Sequence, residues 1–188
     1  MKKVIFLIFA GALLMFVGCT KKSQINVPLP YAYPRPSLPD TVMTVPEDVP
    51  LVFPVNAQAE KVLKRADWLD VVYPTLGATV HVTFTATNPL EVESIKENRM
   101  QRLMLNAGER PVEFSEFINE AGFNVVTADA EGSTTPIQFI ATDDSLWVVS
   151  GAVYFSAPEA VESTDSIRPM VKAIRNDILR GLKALRYR

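Results

Sequence analysis

The sequence predicts an α+β domain in which an antiparallel sheet of about five to six strands packs against two main helices. Ala78–Ala86 alternate apolar and polar residues, which is typical of a strand with one buried face. Short turn sequences separate the later strands, and short connections favour antiparallel neighbours. Residues 167–187 carry a regular apolar stripe, which predicts an amphipathic helix. Such a sheet and such helices pack as layers around one core.

The first predicted elements come before the long alternating strand. Residues 56–64 are polar and predict either a loop or one helical turn. Residues 68–73 alternate loosely and predict a strand, which Pro74 and Gly77 would end in a hairpin-like turn. The alternating strand then separates a core side from a polar side. The core side would be Val80, Val82 and Phe84, and the polar side His81, Thr83 and Thr85.

A helix is predicted to follow at Asn88. Asn88 would cap it, Pro89 would take the first position, and Glu91 would complete a capping box. Gly108 would end the helix after about residue 106. Its imperfect apolar stripe is formed by Val92, Ile95, Leu103 and Ala107.

Four more strands are predicted after this helix. In residues 111–118, Val112 and Phe114 alternate with polar neighbours, which indicates a strand. The others are predicted at 123–128, 136–141 and 146–155. Polar turn sequences lie between them at 131–133 and 142–145. The connections are short enough for an antiparallel meander.

The last predicted helix has a basic outer face. Asp165 or Ser166 would cap it, and Pro169 falls in the first turn, where proline is tolerated. Four of its cations are candidate interaction residues: Lys172, Arg175, Arg180 and Lys183. A basic amphipathic helix can lie on an anionic membrane or bind an acidic partner. Because the helix dipole favours cations near a helix C-terminus, an ordinary charged surface is the alternative.

The first nineteen residues have the organisation of a secretory signal. Lys2 and Lys3 begin it, residues 4–17 form an apolar run, and Gly18 precedes Cys19. The run is too short for a membrane-spanning helix. Its end is similar to a bacterial lipobox, in which the cysteine is acylated and becomes the first residue of the mature protein. Cys19 is therefore the predicted lipid attachment site and membrane anchor.

The chain divides into three predicted regions: a signal peptide at 1–18, an acylated cysteine with a Pro-rich tether at 19–54, and one domain at 55–188. Eight prolines lie in the tether, and proline disrupts helices and sheet ladders, so this region is expected to be extended. The folded part is expected to begin near Leu51. Tyr33 and Arg35 lie among the prolines as candidate interaction residues, for a partner or for the domain's own surface.

Composition excludes several classes of function. The chain has 19 basic and 21 acidic residues, and cleavage after Gly18 would remove two of the basic ones. An acidic protein is a poor partner for nucleic acid. Because Cys19 is the only cysteine, the mature fold would have no disulfide, thiol nucleophile or cysteine-based zinc site. Residues 20–23 contain no acid, which favours a lipoprotein that faces the periplasm and leaves the membrane undecided.

The sequence predicts no catalytic residue, metal ligand or cofactor. His81 is the only histidine, and no second histidine or suitable cysteine could complete a typical zinc shell. The pattern is more consistent with an exposed or hydrogen-bonded residue. The two acids of 142–145 are ordinary turn residues, since a Ca²⁺ loop requires more oxygen ligands. The chain also lacks a Gly-x-Ser-x-Gly turn and a Gly-rich phosphate loop.

An ordered set of short phrases resembles the gliding motility lipoprotein GldD family of Bacteroidetes. The phrases lie at 33–36, 68, 73–74, 78–84, 138–139, 142–145, 151–155, 165–169 and 177. Their order and approximate spacing hold over nearly the whole mature chain. The residues after Pro36 and the last four residues depart from the family pattern, which is typical of a divergent member. The element order is also similar to the compact sandwich of Mog1 and PsbP-like domains.

The resemblance implies a non-enzymatic accessory lipoprotein of the cell envelope. Its partners would be the membrane, through Cys19, and other proteins of the gliding motility and type IX secretion machinery. One alternative is a carrier or sensor domain with an apolar pocket between sheet and helix, lined by residues such as Phe84 and Phe155. A second alternative is a hydrolase, which requires carboxylates that converge with His81 in a cleft.

Overall fold

The computed structural model describes residues 42–156 and 164–188. Several predictions fall outside the described residues. They are those for Gly18, Cys19, Tyr33 and Arg35, and those for the capping side chains of Asp165 and Ser166.

Nine strands and two α-helices make up the described fold. The strands are β1 (Met43–Thr44), β2 (Val55–Asn56), β3 (Glu60–Arg65), β4 (Trp68–Tyr73), β5 (Ala78–Ala86), β6 (Glu113–Ile118), β7 (Asn124–Asp129), β8 (Ile137–Thr142) and β9 (Trp147–Phe155). The helices are α1 (Val92–Ala107) and α2 (Thr164–Lys183), and a 3-10 turn spans Pro74–Leu76. The predicted α+β class is confirmed.

The main sheet has seven antiparallel strands in the order β3-β4-β5-β9-β8-β7-β6. It consists of two meanders, β3–β5 and β6–β9, which meet at the central pair of β5 and β9. That pair is the longest in the sheet, with nine residues of each strand in register. Helix α1 connects the two meanders, and β1 and β2 form a separate two-stranded sheet.

The alternation along β5 divides the sheet into two faces. Val80, Val82 and Phe84 are buried on the core face, which α2 covers to form the main hydrophobic core. His81 and Thr83 lie on the opposite face, which we call the open face. Helix α1 contacts this face over β8 and β9 and forms a smaller apolar cluster there. The predicted orientation of the β5 side chains is therefore confirmed.

Residues 49–55 form an N-terminal strap across the core face. Val49, Leu51 and Phe53 are buried in the main core. The Phe53 ring lies edge-on to Phe84, with centroids 6.1 Å apart, and stacks on Phe139 at 6.2 Å. Packed residues therefore include part of the segment that the sequence assigned to the tether.

The prediction of a loop or helical turn at 56–64 is wrong, because Glu60–Arg65 forms the edge strand β3. All six of its residues are exposed, and within the described fold it pairs with β4 alone. A strand without a buried face need not alternate apolar and polar residues, so the periodic signal is absent. This strand is the one by which the sheet exceeds the predicted size.

The predicted start of the first helix is also wrong. Asn88 Oδ1 accepts hydrogen bonds from the backbone N–H groups of Leu90 at 2.9 Å and Glu91 at 3.2 Å, which caps a turn before the helix. Helix α1 begins at Val92, and the Glu91 side chain makes no capping hydrogen bond. Its end at Gly108, with φ of 65°, agrees with the prediction.

Helix α2 ends at Lys183, four residues before its predicted end at residue 187. Asn119, from the segment after β6, donates hydrogen bonds from Nδ2 to the carbonyl groups of Leu182 at 2.9 Å and Leu185 at 2.8 Å. These carbonyl groups lie at the helix end, where the regular helical hydrogen bonds stop, and Leu182 O also accepts from the Leu185 N–H group at 3.3 Å. Asn119 is buried, so its side chain ties the end of α2 into the core.

Candidate functional site

The basic residues of α2 do not form one free cationic surface. Arg175 makes a bidentate ion pair with Asp129 of β7, with Nε 2.9 Å from Oδ1 and Nη2 2.9 Å from Oδ2. Arg180 Nη2 lies 2.6 Å from Asp177 Oδ1. Lys172 and Lys183 are exposed and have no ion pair with another described residue. Of the four candidate cations, Arg175 therefore ties α2 to the sheet, Arg180 is paired within α2, and Lys172 and Lys183 face solvent.

Asp177 is the centre of a buried polar network between α2, β4 and β2. Its Oδ2 accepts hydrogen bonds from Asn56 Nδ2 at 2.9 Å and from the Tyr73 hydroxyl at 3.3 Å. Burial raises the pKa of Asp177, although the Asn56 hydrogen bond and the Arg180 charge act in the opposite direction. Burial and the adjacent carboxylate also raise the pKa of Tyr73. The network positions α2 and faces the interior.

On the open face, His81 is paired with Asp70. The two residues are directly opposite each other on β5 and β4. Asp70 Oδ1 lies 2.5 Å from His81 Nδ1 and accepts a 2.8 Å hydrogen bond from Trp68 Nε1. The Asp70 side chain is buried, whereas the imidazole is partly exposed. His81 is thus a hydrogen-bonded residue of the polar strand face, and Asp70 orients both aromatic rings.

These residues form one wall of a cleft of about 320 Å³ beside α1, which we call the open-face cleft. The sheet contributes Trp68, His81, Thr83, Ser150 and Tyr154, and α1 contributes Arg99 and Arg102. Arg99 donates from Nη2 to Thr85 Oγ1 at 3.2 Å. Burial, and then the charge of Arg102, lower the pKa of Arg99. The cleft therefore combines a partly desolvated cation with hydroxyl groups and aromatic rings.

The chemistry of the cleft falls short of what the hydrolase alternative requires. One carboxylate, Asp70, reaches His81, and Ser150 lines the same cleft. The Ser150 hydroxyl nevertheless makes no hydrogen bond with His81 or with any other described residue. Within 42–156 and 164–188, no group of three His, Cys, Asp or Glu residues could hold a metal ion. The arrangement suits binding of polar groups, without an assembled nucleophile.

A second concavity, the α1–β6 groove, lies on the other flank of α1 and has a volume of about 640 Å³. Its walls include Lys96, Glu97 and Met100 of α1 and Glu116, Phe117 and Ile118 of β6. Ile118 is 71% exposed, and Phe114, two alternate positions earlier on the same strand face, is 43% exposed. The apolar side chain of β6 that packs against the main core is instead Phe117. Exposed apolar side chains therefore line this rim of the sheet.

Carboxylates surround the groove, and its one cation is engaged. Glu93, Glu97 and Glu116 are among the lining residues. Lys96 Nζ lies 2.7 Å from Glu93 Oε2 and 3.4 Å from Asp144 Oδ1. Strand β6 has one neighbouring strand in the described fold, β7, so its outer backbone edge is unpaired there. An apolar, acidic groove thus adjoins a free strand edge.

Phe84 and Phe155, which the carrier or sensor alternative places in an apolar pocket, both pack in the main core. Phe84 is 2% exposed, and Phe53 of the strap packs against its ring. Phe155 is a partly buried neighbour of the same core.

The turn at 142–145 is confirmed, since Asp143 Oδ1 accepts backbone hydrogen bonds from Ser145, Leu146 and Trp147 at 2.8–3.0 Å. The Asp143 side chain thus stabilises the turn.

Sequence reasoning identified His81 but missed Asp70, Arg99 and the whole α1–β6 groove. The Asp70 pairing had a usable signal. A short turn between residues 73 and 78 places residues 70 and 81 opposite each other in an antiparallel hairpin. The position of Arg99 had no comparable signal, because it depends on how α1 is rotated against the sheet.

No helix among the described residues is both long and apolar enough to span a membrane. The model of the family described as gliding motility lipoprotein GldD matches residues 23–187. No curated protein matches the chain.

Proposed function

The chain belongs to the gliding motility lipoprotein GldD family, and from this premise we propose that it is an accessory lipoprotein anchored in a cell-envelope membrane. It would support gliding motility and the type IX secretion machinery by binding other proteins of that machinery, without catalysis. The observation that supports protein binding most directly is the α1–β6 groove, where apolar side chains stay exposed beside an unpaired strand edge.

The proposed anchor is Cys19, which would be acylated and, by cleavage between Gly18 and Cys19, become the first residue of the mature protein. Several acyl chains on one residue, palmitate among them, bind a membrane far more firmly than a single chain. The tether would follow, and residues 19–41, which precede the described fold, would reach roughly 70 Å if extended at about 3.1 Å per residue. The domain would face the periplasm. We therefore propose that the anchor acts by holding the binding surface close to the membrane.

The groove favours a partner segment of definite chemistry. A strand from the partner would pair with the outer edge of β6 and place apolar side chains over Ile118 and Met100. Lysine or arginine residues in that segment would face Glu93, Glu97 and Glu116. We therefore propose an extended, apolar and basic segment of another envelope protein as the occupant.

The proposed function can be tested in the protein's own host. Ile118→Lys would place a charge on the apolar rim at an exposed site, so the protein should fold and reach the membrane in normal amount. We expect loss of gliding and of at least one protein captured by the tagged wild type. Val62→Lys on β3 is the matched control, because Val62 is 37% exposed on the opposite edge strand. Wild-type gliding and capture in Ile118→Lys would refute the groove as the binding surface.

The anchor has a separate test. Cys19→Ala removes the only cysteine of the chain and with it the acylation site. We expect the variant to leave the membrane pellet when cells are fractionated. If the variant stays in the pellet as strongly as wild type, acylation of Cys19 is not the anchor.

A further inference from the structure

We infer that the open-face cleft is a binding site for the phosphate or carboxylate group of a small organic ligand. The cleft lies on the flank of α1 opposite the α1–β6 groove, although Ile140 lines both concavities. Because the two sites lie on different flanks of α1, the inference is independent of the protein-binding function proposed for the groove.

The two arginines of the cleft form a cationic site without an internal counterion. Arg99 and Arg102 are one helical turn apart on α1, and both line the cleft. Among the described residues neither has a carboxylate partner, in contrast to Arg175 and Arg180 of α2. Partial burial of an unpaired cation is unfavourable, as the lowered pKa of Arg99 reflects. A bound oxyanion would supply the missing negative charge.

Polar groups of the sheet face these arginines from the opposite wall. Thr83 and Ser150 are half-buried, and their hydroxyl groups make no hydrogen bond with another described residue. Asp70 holds His81 by Nδ1, which leaves Nε2 as the second polar atom of a ring that lines the cleft. Guanidinium groups bind phosphate and carboxylate in a bidentate manner, and hydroxyl groups complete such sites. The donor set therefore suits an oxyanion.

An aromatic surface adjoins the polar part of the cleft. The His81 ring centroid lies 5.1 Å from that of Tyr154 and 6.1 Å from that of Trp68. Tyr154 is 39% exposed, so its ring is accessible. Aromatic rings bury the flat faces of organic groups. A volume of about 320 Å³ also accommodates more than a bare ion, which points to a sugar-sized ligand that carries the acid.

The test measures binding to the full-length lipoprotein, purified in detergent, by titration calorimetry. The probes are glucose 6-phosphate, glucuronate, glucose and inorganic phosphate. We expect both charged sugars to bind at least about tenfold more tightly than glucose, because charge-assisted hydrogen bonds contribute that much. We also expect inorganic phosphate to bind more weakly than glucose 6-phosphate. Absence of binding by both charged sugars would overturn the inference, and so would equal binding of glucose.

Variants assign the binding to the cleft. Arg99→Gln together with Arg102→Gln should weaken glucose 6-phosphate by about tenfold or more. Lys172→Gln together with Lys183→Gln removes the same charge from exposed sites on α2 and should leave binding unchanged. Arg102 is exposed, so Arg102→Gln alone should fold. It should bind glucose 6-phosphate more weakly than wild type, which tests the cleft even if the double variant folds poorly. Equal affinity in the double arginine and double lysine variants would exclude the cleft. Binding of inorganic phosphate as tight as that of the sugar phosphate would exclude the aromatic contribution.

Discussion

Asp177 shows how a single buried charge can fix the position of a helix. It is 4% exposed and has hydrogen-bond partners on β2, on β4 and on α2 itself. Burial of a carboxylate is costly unless other groups satisfy it. The raised pKa of Asp177 shows that burial outweighs its partners. The network therefore specifies how α2 is docked, at some cost in stability.

Removal of this carboxylate should take a buried hydrogen-bond acceptor out of the network. We expect Asp177→Ala to lower the free energy of unfolding by about 3 kcal/mol, because Asn56 and Tyr73 lose this acceptor. Asp177→Asn keeps an oxygen that can accept from Asn56, so its loss should be clearly smaller. Urea denaturation followed by circular dichroism measures both. Equal stabilities of Asp177→Ala and wild type would contradict this account of the network.

Tyr73 should make stability depend on alkaline pH. Its pKa is raised in the folded state, so the folded protein keeps the phenol proton where the unfolded chain, with a pKa of about 10, loses it. This contribution is complete below pH 10 and declines as the pH rises further. In a spectrophotometric titration, the Tyr73 phenol should ionise only together with unfolding, and Tyr73→Phe should lack that step. The raised pKa would be disproved if folded wild-type protein showed a phenol that ionises near pH 10 and that Tyr73→Phe lacks.

At the scale of elements, burial decides which strands the sequence could predict. Strand β5 has one buried and one half-exposed face, so its alternation gave the correct bounds. Strand β3 is exposed on both faces and has no such period. Strand β6 is intermediate, since Phe117 packs inward while Phe114 and Ile118 remain exposed. Prediction failed most where the sheet has its edges, and one of these edges adjoins the proposed binding surface.

The end of α2 depends on a side chain that lies far away in sequence. Asn119 donates to the carbonyl groups of Leu182 and Leu185, and its Oδ1 accepts from the N–H groups of Ala121 and Phe123. We expect Asn119→Ala to lower the free energy of unfolding by about 2–4 kcal/mol, since several buried backbone groups lose partners. Asn98→Ala, at an exposed position on α1, is the control and should change stability by less than about 0.5 kcal/mol. Similar urea midpoints for the two variants would show that Asn119 does not secure the helix end.

At the scale of the whole molecule, the two faces of the sheet have different tasks. The core face is closed by α2 and by the N-terminal strap. The open face carries both the α1–β6 groove and the open-face cleft, one on each flank of α1. The candidate sites therefore lie on the open face, which can remain exposed because the main hydrophobic core is on the core face. Sequence patterns predicted the core face well, because burial produces periodicity. They said little about the open face.

The strap decides where the stable domain begins. Val49, Leu51 and Phe53 are buried, and Val52 and Arg186 exchange backbone hydrogen bonds at 2.9 and 3.2 Å. Each buried apolar side chain contributes about 1.5–3 kcal/mol, and a whole domain is stable by only about 5–15 kcal/mol. A fragment of residues 42–188 should thus unfold cooperatively in urea, whereas one of residues 55–188 should be largely unfolded without denaturant. If both fragments unfold at the same urea concentration, the strap is dispensable and the stable domain begins no earlier than residue 55.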